Sequence, residues 1–162
     1  MFTLSDICNI AIQIELNGAE IYRNAGKTAK DPEIAETLTW MAQEEENHAE
    51  WFRSIQSNQV LSSEEQEMEA IGRSLLQDIM KNNSFSLNSK LLTDADEHGE
   101  IITQSIEFER DTILFYEILL DFLDNEESVK QLKNIIKEED NHIKKLGSLR
   151  ERNGFISCVS PS

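Results

Sequence analysis

The chain is 162 residues long, with 15 Lys and Arg against 31 Asp and Glu and a formal net charge of −16. That length allows one domain with a real core, and that charge repels nucleic acid and anionic lipid while attracting cations. No apolar run approaches the roughly 18 residues needed to cross a bilayer, and Met1-Phe2-Thr3-Leu4-Ser5-Asp6 lacks the basic start and apolar stretch of a signal peptide, so a cytoplasmic protein is expected.

With only 6 Gly and 2 Pro, helix is the expected state. The first helix is predicted over about 3–28, with Leu4, Ile7, Ala11, Ile14, Gly18, Tyr22 and Ala25 on one stripe. The second, over 32–57, opens with Asp31-Pro32-Glu33. Asp caps the helix, Pro fits its first position, and the acid suits the positive end of the dipole. Its stripe reads Leu38, Met41, Glu45, His48, Phe52, Ile55. A weaker helical stretch over 63–80 follows, then the polar patch Lys81-Asn82-Asn83-Ser84.

The next long helix, over 96–123, carries Ile102, Ser105/Ile106, Glu109, Ile113, Tyr116, Leu120 and Leu123. The last, over 126–152, follows Asp124-Asn125 as a cap and reads Leu132, Ile135, Glu139, His142, Leu146, Leu149. Residues 153–162 look irregular, so one domain over 1–152 is expected. Short loops make two antiparallel hairpins, and the segment between them is long enough to run the length of a bundle. The expected fold is all-α, a ferritin-like four-helix bundle whose two hairpins are joined by a long crossover containing a short helix. Cys8 and Cys158 sit near opposite ends, and no C-x-x-C pair occurs. Idle thiols in a reducing compartment are expected rather than a disulfide.

The two hairpins repeat each other without a gap. Glu15 and Glu109, Tyr22 and Tyr116, Glu45 and Glu139, and His48 and His142 are each 94 residues apart (109 − 15, 116 − 22, 139 − 45, 142 − 48). Glu44-Glu45-Glu46-Asn47-His48 matches Glu138-Glu139-Asp140-Asn141-His142, and two of the 3 histidines in the chain fall in these E-x-x-H motifs. Residues i and i+3 share a helix face about one turn apart, close enough to hold one ion or bridge two.

All six ligand candidates, Glu15, Glu45, His48, Glu109, Glu139 and His142, lie on core stripes. Isolated buried carboxylates would each cost several kcal/mol. Two divalent cations balance four glutamates, with neutral imidazoles completing the set. Oxygen-rich ligation with one imidazole per metal suits two Fe ions, or Mn, and accepts Zn. One Glu from each of two helices plus E-x-x-H from each of the other two is the ligand set of carboxylate-bridged dimetal bundles. A single E-x-x-H is usually a surface ion pair; a duplicated one on the core stripe is not.

Tyr22 and Tyr116 lie seven residues after Glu15 and Glu109, two turns along the same stripe. They read equally well as hydrogen-bond donors to ligand carboxylates, as redox-active phenols, or as ordinary core tyrosines. His98, off the stripe, reads as a surface residue, and Glu20 and Glu107 as solvated acids. Trp40, Trp51 and Phe52 flank the ligands of the second helix and read as core or dimer packing.

Together these residues resemble the rubrerythrin-type branch of the ferritin-like superfamily. The similarity runs through Ile12-Gln13-Ile14-Glu15 with Ile21-Tyr22, Glu44 to Ala49 with Trp51-Phe52, Ile106 to Asp111 with Phe115-Tyr116, and Glu138 to His142. It covers roughly Leu4 to Arg150. The resemblance implies that Glu45 and Glu139 bridge two irons, that Glu15 and Glu109 are terminal carboxylates, and that His48 and His142 each bind one iron.

Two departures accompany the resemblance. Rubrerythrins usually carry a C-terminal rubredoxin-like domain with two C-x-x-C hooks, absent here, so electrons would come from a separate donor such as a rubredoxin-like protein. They also tend to carry an extra glutamate three residues after the one matched by Glu109, where this chain has Thr112. The expected function is that of a di-iron oxidoreductase reducing hydrogen peroxide or dioxygen, as a homodimer. The alternatives are a non-enzymatic iron-binding or storage subunit of ferroxidase type, and a structural dimetal bundle.

Overall fold

The computed structural model describes residues 4–57, 67 and 98–152. The described residues form four long helices, α1 (Leu4–Thr28), α2 (Pro32–Ser57), α3 (His98–Leu120) and α4 (Glu126–Arg152), and no strand. The predicted crossover helix over 63–80 and the tail over 153–162, with Cys158, lie outside the described residues, apart from the single position 67.

Side-chain caps set the helix starts. Asp31 Oδ1 accepts from the backbone N–H of Glu33 (2.8 Å) and Ile34 (3.2 Å). Asn125 Oδ1 does the same for Glu127 (2.8 Å) and Ser128 (3.2 Å). Each satisfies donors that the first helical turn leaves open. These two caps are themselves 94 residues apart (125 − 31), so the repeat reaches the ends of the helices.

One boundary differs from the sequence reading. α3 stops at Leu120 rather than 123, because the N–H groups of Asp121, Phe122 and Leu123 bond back three residues instead of four. Such bonds tighten and end a helix. Leu123 is nevertheless buried, which is why the apolar period ran on past the true end.

Contacts between helices fix their directions. Gln56 Nε2 donates to Asn9 Oδ1 (2.6 Å) and Arg23 pairs with Glu46, so α1 and α2 are antiparallel. Tyr22 meets Glu109 and Tyr116 meets Glu15, so α1 and α3 are antiparallel too. His48 meets Glu139 and His142 meets Glu45, which sets α2 against α4. It follows that α2 and α3 run in the same direction. Ser57 and His98 therefore lie at opposite ends of the bundle, roughly 35–40 Å apart at 1.5 Å per helical residue. That is the ferritin-like order, two hairpins with an end-to-end connection.

The core divides into two apolar clusters. One holds Ile21, Tyr22, Leu38, Met41, Ile102 and Leu146. The other holds Ile7, Ala11, Phe52, Tyr116, Leu119 and Leu132. They occupy opposite ends of the bundle and leave its middle to polar side chains. No helix among the described residues is long and apolar enough to cross a membrane.

Two helical glycines differ in their surroundings, and alanine at each should shift stability in opposite directions. A Cβ on Gly26 would meet Thr39 Oγ1 at 2.9 Å and the Ala35 carbonyl at 3.3 Å, where α1 and α2 approach closely. Gly26→Ala is expected to destabilise by about 1–3 kcal/mol. A Cβ on Gly147 meets nothing within 4 Å, so Gly147→Ala should stabilise by about 0.5–1 kcal/mol. Denaturant melts of the two variants check the pair; equal shifts would contradict the packing described.

Candidate metal centre

Each helix sends its ligand candidates to the same depth of the bundle. Glu15 comes from α1, Glu45 and His48 from α2, Glu109 from α3, and Glu139 and His142 from α4, and all six are buried. They form two overlapping quartets: Glu15, Glu45, His48 and Glu139, and Glu45, Glu109, Glu139 and His142. Within each quartet, one donor atom per residue lies within 4.8 Å of all the others. Glu45 and Glu139 belong to both.

Both imidazoles turn Nδ1 inward. His48 Nδ1 lies 2.9 Å from Glu139 Oε1 and 3.5 Å from Glu15 Oε2. His142 Nδ1 lies 3.0 Å from Glu139 Oε2, 3.3 Å from Glu45 Oε1 and 3.7 Å from Glu109 Oε1. The two rings stack with centroids 6.2 Å apart.

The tyrosines hold the outer carboxylates. Tyr22 donates to Glu109 Oε1 at 2.6 Å, and Tyr116 donates to Glu15 Oε1. Each bond ties one hairpin to the other. Each also occupies one oxygen and leaves Oε2 of Glu109 and of Glu15 for the interior. Burial first, and then the neighbouring carboxylate charge, pushes both phenols well above their ordinary pKa. Both therefore stay protonated and act as donors.

Protonation in the ion-free cluster follows from burial and crowding. Desolvation, reinforced by neighbouring carboxylates, raises Glu15 and Glu45 well above the ordinary carboxylate range. The same causes bring Glu109 to about 7. Burial opposes the imidazolium forms, but contact with Glu139 and its charge overcome that for His48, which rises to about 10. Contacts with Glu109, Glu139 and Glu45 take His142 to about 12. Glu139 sits between the two imidazoliums, and their close contact and positive charge outweigh its desolvation and hold it ionised. Without ions, the cluster neutralises itself with protons.

These side chains fit a pair of divalent cations. Glu15 Oε2, Glu45 Oε1, Glu109 Oε2, both oxygens of Glu139 and Nδ1 of both histidines are buried and make no aligned hydrogen bond among the described residues. Buried polar atoms are nearly always paired, and here the unpaired ones face one another in two sets with ligand spacing.

The remaining candidates among the described residues fall outside the cluster. Thr112 is buried, but its hydroxyl donates to its own helix at Phe108 O (2.8 Å). Cys8 is buried, and burial pushes its thiol to about 12, far from a reactive thiolate. Glu20 and Glu107 are exposed. The side chain of His98 lies outside the described residues. Phe52 packs on Tyr116 (centroids 5.1 Å) and on Trp51 (5.0 Å).

Three contacts escaped the sequence reading. Glu138 meets the outer nitrogen of His48 at 2.7 Å, Glu44 joins the same group, and Trp40 stands edge-on to His142 at 5.2 Å. The matched strings at 44–48 and 138–142 contain both glutamates, so the repeat pointed to them without giving them a role.

Ion binding must expel the protons that the cluster holds. Glu15, Glu45, His48 and His142 each hold one near neutral pH, and Glu109 part of one. Loading two divalent ions should release about four protons per chain, and affinity should rise as pH rises through about 7. A pH-stat titration with Co(II) reads the count directly. Release near zero would mean that the carboxylates were already ionised or that the ions bind elsewhere.

The comparisons with known proteins agree with this geometry. A chain from Thermotoga maritima, whose crystal structure is described as that of a ferritin-like diiron-carboxylate protein, aligns with a TM-score of 0.72 at 25% identity. The alignment covers 94% of this chain and 97% of that one. No curated protein matches significantly. The rubrerythrin family model matches residues 6–150, a span that contains all six buried ligand candidates and both tyrosines. The chain belongs to the rubrerythrin family.

Proposed function

We propose that this chain holds two iron ions in the overlapping quartets and reduces hydrogen peroxide or dioxygen with electrons from a separate donor. One observation carries the reading: buried donor atoms without aligned hydrogen bonds among the described residues, contributed in matched pairs by four helices. A ferrous pair supplies the two electrons that, with two protons, convert one peroxide to two waters.

The protein's own groups would do the rest. Glu45 and Glu139, common to both quartets, tie the two positions together. Glu15 and Glu109 close the outer sides, each steadied by a phenol O–H. The two apolar clusters keep bulk water from either end, and the net charge of −16 favours the approach of cations. Membership of the rubrerythrin family supports a redox partner, such as a rubredoxin-like protein, as the electron donor. The reading includes a cytoplasmic homodimer, for which exposed Leu114, Ile118 and Phe122 offer an apolar face.

A second reading, a ferroxidase-type iron-storage subunit, is favoured by the strongly acidic surface and by Thr112, which supplies no seventh ligand. Anaerobic di-ferrous protein mixed separately with peroxide and with air separates the two. Fast oxidation by peroxide and slow oxidation by air is the expected order; the reverse supports the ferroxidase. Oxidation by neither removes the redox reading and leaves a structural metal pair. Light scattering should give a mass of two chains, and a large closed shell would favour storage.

Ligand sharing sets the metal stoichiometry. Glu45→Ala or Glu139→Ala removes a donor from both quartets and should abolish loading of both ions. Glu15→Ala touches one quartet and should leave about one ion per chain. Elemental analysis of protein produced with iron checks this, and two ions retained in Glu45→Ala would contradict it.

A further inference from the structure

The repeat relates the two histidines, yet their outer nitrogens meet different surroundings. His48 Nε2 lies 2.7 Å from Glu138 Oε2. Glu44, one turn back on the same helix, brings a second carboxylate into that group. His142 Nε2 is buried and has no hydrogen-bond partner among the described residues. Trp40 covers this ring edge-on, with centroids 5.2 Å apart and planes at 84°. Lys145 Nζ sits 4.0 Å from the Trp40 ring centroid.

The departures from the repeat fall at these positions. The residue equivalent to Trp40 (40 + 94) is Asn134, and the one equivalent to Lys145 (145 − 94) is Trp51. Glu44 and Glu138 are themselves equivalent, but both gather at His48. One histidine thus has two carboxylates beside it, while the other has an indole that itself meets a lysine.

Two physical effects act in the same direction. A carboxylate on the far nitrogen of a metal-binding imidazole fixes the ring's orientation and tautomer and makes the inner nitrogen a better ligand. Negative charge beside the His48 position also favours a cation there, while Lys145 disfavours one near His142. We propose that the two metal positions are unequal, the His48 position filling first and more tightly because Glu138 positions its imidazole, and the His142 position lagging because the outer nitrogen of its imidazole has no such partner among the described residues. This rests on the dimetal reading above. Glu138 is a positioning residue, acting only through His48.

Anaerobic calorimetric titration with Co(II), a probe that needs no oxidant, tests the proposal. The native protein should bind in two steps, the second about 10–100-fold weaker. Glu138 is half-exposed, so its variants should keep the fold, which circular dichroism checks. Glu138→Ala should weaken the tight step by about the same factor and merge it with the other, leaving the weaker step in place. Glu138→Gln keeps an acceptor for the ring N–H and should restore much of the separation. Two equal steps in the native protein, or two unchanged steps in Glu138→Ala, would overturn the proposal. No Co(II) binding at all would overturn the dimetal reading itself, and the inequality with it.

Discussion

Four glutamates packed into the middle of a helical bundle are the constraint around which everything else is arranged. Each carboxylate has left water, and together they repel one another. Such a group must be neutralised, by protons or by cations, or the bundle opens. The ion-free cluster takes the first route, with Glu15 and Glu45 protonated and Glu139 clamped between two imidazoliums. Two divalent ions would take the second, replacing a shifting set of protons with fixed charge.

Fold and site support each other through the tyrosines. Tyr22 and Tyr116 belong to the two apolar clusters that close the bundle ends, and their hydroxyls reach across to the carboxylates of the opposite hairpin. These bonds span 87 and 101 residues of sequence. The contacts that aim the outer glutamates also lock one hairpin against the other. Antiparallel pairing of α1 with α3, on which the ferritin-like order depends, is therefore written into the same bonds that shape the site.

Much of this was legible in the sequence because two independent signals coincided. Helical period put Glu15, Glu45, His48, Glu109, Glu139 and His142 on buried stripes, and the 94-residue repeat (109 − 15) paired them. Neither signal could decide the role of the tyrosines, since a core tyrosine and a carboxylate donor have the same spacing. The partner lies on another helix, and only the fold reveals it. Glu138 was hidden for a related reason. It is half-exposed and off the core stripe, and its contact with His48 crosses between helices. The end of α3 was misread because Leu123 remains buried after the backbone has left the helix. Period reports burial, not hydrogen bonding.

The claim beneath all of this is that the buried carboxylates are tolerated as a cation site. Anomalous diffraction at the iron edge, from crystals of protein produced with iron supplied, tests it most directly. Two peaks about 3.5–4 Å apart, enclosed by Glu15, Glu45, His48, Glu109, Glu139 and His142, are the expected result. A fully occupied, iron-free cluster of hydrogen-bonded, protonated carboxylates, with iron only on the acidic surface, would contradict it.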